Sequence, residues 1–238
     1  MPTKAEQAVI LRDAFNLPPE EAIAFLESKG MKITWSWREA MDLAAQQSFT
    51  VAKAMRMDIL QDIRGAVEKS VAQGETFYDF RKNLEPTLRA KGWWGKVNGA
   101  QLGSPHRLKT IYRTNMQSAL QAGRYDQQME SAPSDGWLRY VAVIDQSTRQ
   151  THAAMDGFQR PASDPIWNRI YPPNSFNCRC RVIELDADEA MDSGGASPLM
   201  MIPPGFPDEG FGTKPGLNIF HLQPSDYDPD IYRAGEQE

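Results

Sequence analysis

The chain has few cysteines and histidines and no long apolar run. Its 238 residues include two cysteines and three histidines, which excludes a disulfide scaffold and fits synthesis in a reducing compartment. The amino terminus lacks the charged and apolar regions of a secretory signal. No apolar run approaches the roughly 18 residues that a membrane span requires. We therefore expect a cytosolic globular chain of one large or two small domains, with no membrane partner.

Basic residues are outnumbered and unevenly placed. The net charge of −5 argues against a general duplex-DNA binder, because such proteins gain affinity by neutralising phosphates. Residues 81–113 carry eight basic residues against one acid, whereas residues 184–238 carry twelve acids against two basic residues. This pattern is typical of intramolecular pairing, of two different partners or of solvated faces. The basic strip also contains candidates for phosphate contact and base stacking on single strands, namely Lys91, Trp93, Trp94, Lys96, Arg107 and Lys109.

The first part of the chain has helical periodicity. Prolines and acids after Leu17 predict a short helix that Gly30 ends. Ser36 and Glu39 have the spacing of a capping box, and apolar residues then recur at steps of three or four. We predict one long helix from about Trp37 to Gln73, ended by glycine.

Two further helices are predicted before the pattern changes. One begins at Thr76 and is kinked or shortened by Pro86. Residues 91–105 are loop-like. The other helix runs from His106 to about Met129.

The rest of the chain indicates a small mixed unit. Trp137–Ile144 and Arg179–Leu185 predict strands, and Thr148–Asp156 predicts a short helix. Residues 194–216 are rich in proline and glycine and indicate an extended tail ordered by contact. The predicted fold class is α+β: a mainly helical N-terminal region, then a small α+β domain with two or three strands, then an extended tail. The predicted boundaries are 1–104, 105–190 and 191–238.

Both cysteines and one histidine lie in two short blocks, Asp145–His152 and Tyr171–Arg181. Thiolates and an imidazole suit a tetrahedral Zn²⁺ ion and tolerate separate loops. Alternatively, the cysteines are small buried hydrophobic residues and the histidine packs or caps a helix. A disulfide within Cys178-Arg-Cys180 would be strained, and a Cys178–His152 nucleophilic pair lacks an orienting motif.

Strand pairing gives a reason for the two blocks to meet. If the strands pair, the helix of His152 and the turn of Cys178 and Cys180 approach to within about 4 Å of one ion centre. These three residues are our metal-ligand candidates, and their predicted role is structural. The sequence offers no paired carboxylates at motif spacing and no glycine-rich phosphate loop, so we assign no catalytic residue.

Polar residues around these blocks are candidates for orienting the loops. Arg113 and Arg124 lie about three turns apart on the predicted 106–129 helix. We expect them to hydrogen-bond Asp145 or Asp156, or alternatively to clamp a carboxylate or phosphate. Asn174 and Asn177 are expected to set the turn before the cysteines.

Three motifs together carry a family resemblance. They are Arg113-Thr-Asn115 followed by Gly123-Arg124; Asp145-x-x-Thr148-x-x-x-His152-x-x-x-Asp156-Gly157; and Pro172-Pro-Asn-x-x-Asn177-Cys178-Arg-Cys180. With them the chain resembles the phage Mu F-like minor head proteins, which include the SPP1-type head morphogenesis proteins. The resemblance covers about residues 107–184, and parts of the helical leader and of residues 210–216 are also similar.

The resemblance implies a minor virion protein inside the procapsid. Its implied role is in head morphogenesis or in the fate of packaged DNA, with portal, scaffold or capsid proteins and phage DNA as partners. Exposed apolar stripes on the helices of residues 1–104 are the expected docking surface for the portal or the scaffold. Many relatives carry Cys-x-x-Cys where this chain has Arg149 and His152, so the implied zinc ligands here reduce to His152, Cys178 and Cys180. The alternatives are a zinc-dependent nuclease or hydrolase and a single-stranded nucleic-acid binding module.

Overall fold

The computed structural model describes residues 19–31, 33, 48–131 and 135–212, and its architecture confirms the predicted α+β class. The helices, in chain order, are α1 (Glu20–Ser28), α2 (Met57–Gln73), α3 (Phe77–Ala90), α4 (Pro105–Ser131), α5 (Gln150–Ala153), α6 (Trp167–Ile170) and α7 (Ala187–Asp192). The strands are β1 (Gly30–Met31), β2 (Ser48–Phe49), β3 (Lys96–Val97), β4 (Ala100–Gln101), β5 (Trp137–Val141), β6 (Gln159–Pro161) and β7 (Arg181–Leu185).

Helices α1 to α4 enclose the first hydrophobic cluster. The apolar stripe of α2 is buried in this cluster, and Ile63 and Val67 are completely inaccessible. Gly74 ends α2 in the left-handed conformation at φ 65, which a glycine adopts without steric cost. Thr76 caps α3 by accepting the backbone N–H of Asp79.

The predicted long helix from Trp37 to Gln73 is wrong between residues 48 and 56. Ser48 and Phe49 form a strand that pairs in parallel with β1, and α2 begins only at Met57. Phe49, Val51 and Ala54 are nevertheless buried, so an irregular segment can also place apolar residues inward at helix-like intervals. The capping-box residues Ser36 and Glu39 lie outside the described residues.

Two smaller predictions about this region also need correction. Pro86 does not shorten α3, which continues to Ala90. The segment predicted as loop contains the β3–β4 hairpin, in which Lys96 pairs with Gln101. The predicted stop of the first short helix is confirmed, since α1 ends at Ser28 and Gly30 follows its C-cap residue and begins a strand.

Helix α4 links the two hydrophobic clusters. Leu108 and Ala119 belong to the first cluster, and Tyr125 belongs to the second. Helix α1 crosses α4 closely at Gly123, where a Cβ atom would lie 3.0 Å from the Ala22 backbone nitrogen. The predicted helix from His106 to Met129 is confirmed, with bounds one and two residues wider.

The second cluster surrounds a three-stranded antiparallel sheet with the order β6-β5-β7. Tyr140 on β5 faces Val182 on β7. Part of the predicted tail packs here, because Phe206 is 5% exposed and belongs to this cluster. The Ser197 backbone N–H also donates to the Gln159 carbonyl at 2.9 Å.

Candidate metal centre

His152 and the two cysteines converge at one end of the sheet. His152 lies on α5, and Cys178 and Cys180 come just before β7. The His152 Nδ1 atom is 3.7 Å from Cys178 Sγ and 3.5 Å from Cys180 Sγ. The three side chains are buried, with exposures of 2%, 6% and 2% respectively. Strand pairing therefore brings the two sequence blocks together, as the sequence analysis expected.

The geometry of the three residues fits a tetrahedral ion. Bonds of about 2.3 Å to sulfur and about 2.0–2.1 Å to nitrogen place tetrahedral N and S ligands about 3.6 Å apart. The two observed N···S distances, 3.7 and 3.5 Å, lie on either side of that value. All three ligand atoms lie within 4.8 Å of one another. Among the described residues, no further histidine, cysteine or carboxylate joins these three as a fourth ligand candidate.

The histidine has an orphaned nitrogen on its other side. His152 Nε2 is buried and has no hydrogen-bond partner among the described residues. Both cysteines are free thiols, so the disulfide alternative is not realised. An imidazole with one nitrogen facing two sulfurs is poorly satisfied as an ordinary core residue. One borderline-soft nitrogen and two soft sulfur donors are a set that suits Zn²⁺.

The two thiols are electrostatically unequal. A hydrogen bond with Cys180 lowers the pKa of Cys178 despite burial, and His152 and the backbone of Asn174 and Cys180 act in the same direction. The pKa of Cys180 is raised, because it shares that hydrogen bond as the protonated partner and is also desolvated. The pair therefore favours one thiolate even before a cation is considered.

Glutamines of α4 hold the cysteine strand in place. Gln117 and Gln121 donate to the Cys180 carbonyl at 3.4 and 3.2 Å, and Gln128 donates to the Val182 carbonyl at 3.3 Å. These amides satisfy one carbonyl on the edge strand β7 and one just before it. The glutamines were missed because only Arg113 and Arg124, among the charged residues of this helix, were considered as partners of the loops. Their recurrence along one helix face, at intervals of four and seven residues, was the available signal.

An exposed ion pair fixes the loop before α5. The Arg179 guanidinium contacts both carboxylate oxygens of Asp145 at 2.6 Å and the Thr148 hydroxyl at 3.2 Å. Arg179 and the Ser147 backbone N–H hold the pKa of Asp145 well below its usual range. Arg179 lies between the two cysteines, so the pair connects the cysteine turn to the loop that leads to His152.

The expected pairing of Arg113 and Arg124 with these acids is wrong. Both arginine side chains are exposed, and Asp145 is paired with Arg179 instead. Asp156 accepts the Ala142 backbone N–H at 2.8 Å. Asn115 donates to the Ile111 carbonyl within its own helix, so this bond does not reach the loops either.

Arg149 makes a second connection between the two loops. Its guanidinium donates to the Ser175 hydroxyl at 2.8 Å and to the Phe176 carbonyl at 3.2 Å. It also lies 3.6 Å from the Asp208 carboxylate. In the same turn Asn177 has φ 57, a left-handed conformation that asparagine tolerates better than most residues.

Most of the proposed nucleic-acid residues have intramolecular roles. Trp93 is 3% exposed and donates its indole N–H to the Lys53 carbonyl, so the expectation that it is available for stacking is wrong. The Arg107 guanidinium donates to the carbonyls of Gln101, Leu102 and Ala52.

The other members of that set divide into engaged and exposed side chains. Lys91 pairs with Asp58 and Asp62 at 3.0 and 2.7 Å. The Arg89 guanidinium lies over the Trp94 ring, 4.5 Å from its centre. Lys96 and Lys109 are exposed, so they are the members of the set that remain open to a phosphate.

The arrangement is suited to joining loops rather than to hydrolysis. A catalytic metal keeps an open position for water or substrate, whereas these ligand atoms are buried and Phe206 packs edge-on against the His152 ring at 5.2 Å. In the part of the chain that the structure describes, no helix is both long and apolar enough to cross a membrane.

Comparison with known proteins gives consistent matches. The family described as "Phage Mu protein F like protein" matches residues 61–183. The "Putative capsid assembly protein F" of Escherichia phage Mu is 43% identical over 198 residues, which are 79% of this chain and 45% of that protein. The "Mu-like prophage FluMu F protein" of Haemophilus influenzae is 47% identical over 170 residues, which are 69% of this chain and 41% of that protein. The chain thus spans less than half the length of either relative. No solved structure matches it.

Proposed function

The chain belongs to the phage Mu protein F-like family, and on that premise we propose that it acts in phage head morphogenesis as a minor protein of the head interior. It is made in the cytoplasm of the bacterial host and enters the procapsid through contacts with portal, scaffold or capsid proteins. The observation that carries this proposal is the identity of 43% over 198 residues to a relative named as a capsid assembly protein.

The partner surface differs from the one that the sequence suggested. Exposed apolar stripes on the N-terminal helices were expected to dock on the portal, but the stripe of α2 is buried in its own core. A run of exposed apolar side chains follows the sheet: Met191 is 63% exposed, Leu199 53%, Met200 88% and Met201 42%. Large apolar groups in solvent mark interaction sites more often than chance. We assign the docking of a head protein, with the portal as first candidate, to this methionine-rich segment, residues 191–201.

A head-incorporation assay tests this assignment. Phage carrying Leu199→Lys and Met200→Lys should yield procapsids that lack the protein, because two charges prevent burial of the segment. Tyr78→Lys, at a side chain that is 71% exposed on α3, is the matched control and should leave incorporation unchanged. Normal incorporation of the double variant would refute the docking surface, and a protein absent from wild-type particles would refute the head role itself.

We further propose that His152, Cys178 and Cys180 bind a structural Zn²⁺ ion. The donor set, the N···S distances of 3.7 and 3.5 Å and the orphaned second nitrogen support this assignment. When bound, the ion would join the loop of His152 to the cysteine turn and would stabilise the fold by its binding free energy.

Metal analysis tests the zinc assignment directly. Protein purified without chelator should contain about one zinc per chain, and Cys180→Ser should lose it. Cys178→Ser is expected to act alike, while Arg181→Ser, at an exposed neighbouring position, should retain the metal. Wild-type protein that binds neither Zn²⁺ nor Co²⁺ under reducing conditions would refute the site and leave the assembly role untouched.

A further inference from the structure

The hydroxyl group of Tyr140 lies beside the metal-ligand candidates. Tyr140 is completely buried and faces Val182 across the β5–β7 pair. Directly opposed residues point to the same face of a sheet, as do residues two positions apart on one strand. Cys180 therefore lies on the same face as Tyr140 and diagonal to it. Burial and the neighbouring sulfurs of Cys178 and Cys180 raise the pKa of the Tyr140 hydroxyl, so the phenol lies beside the cysteines.

A buried asparagine orients this hydroxyl. Asn174 is completely buried, and its Nδ2 atom lies 3.3 Å from the Tyr140 oxygen and 2.7 Å from the Ile170 carbonyl. Because an amide NH₂ group can only donate, the phenol oxygen accepts this bond. The phenol proton then remains for the sulfur.

The backbone supplies the other donors to the sulfurs. Hydrogen bonding from the backbone of Asn174 and Cys180 lowers the pKa of Cys178, and the backbone of Val143 acts on the pKa of Cys180 in the same direction. Donors of this kind around ligating atoms orient the ligands and tune the metal.

We propose that Tyr140, held by Asn174, is a positioning residue of the metal centre, whose hydroxyl donates to the Cys180 thiolate and so fixes that sulfur for the ion. This inference rests on the zinc site proposed above. The expected consequence follows from charge: a thiolate buried at 2% exposure is stabilised by an O–H donor, and its loss weakens the ligand set. Removal of such an outer partner typically lowers metal affinity 10- to 100-fold.

The test compares two isosteric variants by Co²⁺ and Zn²⁺ titration. Tyr140→Phe removes only the hydroxyl and should bind both ions about 10- to 100-fold more weakly. It should also shift the thiolate-to-cobalt charge-transfer band to lower energy, because an unbonded thiolate is the stronger electron donor. Tyr171→Phe is the control. Tyr171 is equally buried in the same cluster, but its hydroxyl donates to Gln128 at 2.7 Å, so affinity and spectrum should stay those of the wild type.

The outcomes separate this inference from the zinc site itself. If the wild type binds Co²⁺ and Tyr140→Phe binds it with the same affinity and band position, the role of Tyr140 is refuted while the site stands. If the wild type binds no metal, both fall. If Tyr140→Phe fails to fold, Asn174→Ser is used in its place. This variant keeps the phenol but removes the amide that orients it, so it should also bind both ions more weakly than the wild type. Wild-type affinity in that variant would equally refute the inference.

Discussion

Replacement of Phe206 by alanine should unfold the α+β unit far more easily, although this residue lies in a segment that the sequence assigns to a tail. The Phe206 ring is 5% exposed and packs edge-on between two other rings, 5.2 Å from His152 and 6.0 Å from Tyr140. Truncation of a buried phenylalanine to alanine costs about 3–5 kcal/mol, partly through the cavity that remains. For a unit of this size each 1 kcal/mol lowers the melting temperature by roughly 4–8 °C. We therefore expect a loss of at least about 12 °C.

The assay combines thermal melts with urea denaturation, both monitored by circular dichroism, with EDTA present so that metal binding does not contribute. Phe176→Ala is the control, because its ring makes a similar edge-on contact with Phe211 at 5.2 Å but is 37% exposed. Its cost should stay below about 1.5 kcal/mol, the value of an aromatic pair. If Phe206→Ala costs no more than Phe176→Ala, the segment does not belong to the folded unit and the reasoning from burial is wrong.

Three further outcomes follow from the described contacts. Gly123→Leu should destabilise the helical part by about 1–3 kcal/mol through overpacking against α1, detected as faster amide exchange in α1, whereas Gly65→Ala, with nothing within 4 Å of its added Cβ, should not. Burial raises the pKa of Asp58, but hydrogen bonds from Lys91 and Arg56 outweigh burial and bring this pKa below 3.8. The stability that Asp58 contributes is therefore lost as pH falls through the lowered pKa. In thermal melts between pH 5 and 2, Lys91→Gln should show a smaller decrease in melting temperature with falling pH than the wild type. Arg149→Gln should lower Co²⁺ affinity by roughly 2- to 10-fold, since a half-exposed arginine bridge contributes about 0.5–1.5 kcal/mol to holding the two loops together; unchanged affinity would show that the loops are already fixed without it.

Local sequence patterns predicted most of the helices, because helices depend on short-range periodicity. They also predicted that the two loops converge, because this requires only that the two predicted strands pair. The interval between residues 48 and 56 defeated the same approach. An irregular chain buried Phe49, Val51 and Ala54 at spacings that a helix would also produce. Sequence spacing alone cannot separate these cases when no strong helix stop intervenes.

The partners around the cysteines were beyond sequence reasoning for a different reason. The contact between Tyr140 and Cys180 depends on the β5–β7 register, and a shift of one residue would turn the tyrosine to the other face. Asp145 forms its ion pair with Arg179 and not with Arg113 or Arg124, and this likewise depends on where the cysteine turn ends. Neither is encoded in residue spacing along the chain.

The burial of the cluster favours a structural role of a bound ion over a hydrolytic one. A hydrolytic site must admit water and substrate to the ion, but here the ligand atoms are buried, one ring covers the imidazole, and Arg149 and Arg179 bind the loops together from the exposed side. The sheet that carries the site has strands of three to five residues, which is little structure on which to build a stable core. An ion that joins the α5 loop to the start of β7 would add its binding free energy to the stability of this small sheet. If the chain acts in the phage head as proposed, the ion would keep the α+β unit folded while a partner occupies the neighbouring methionine-rich segment, residues 191–201.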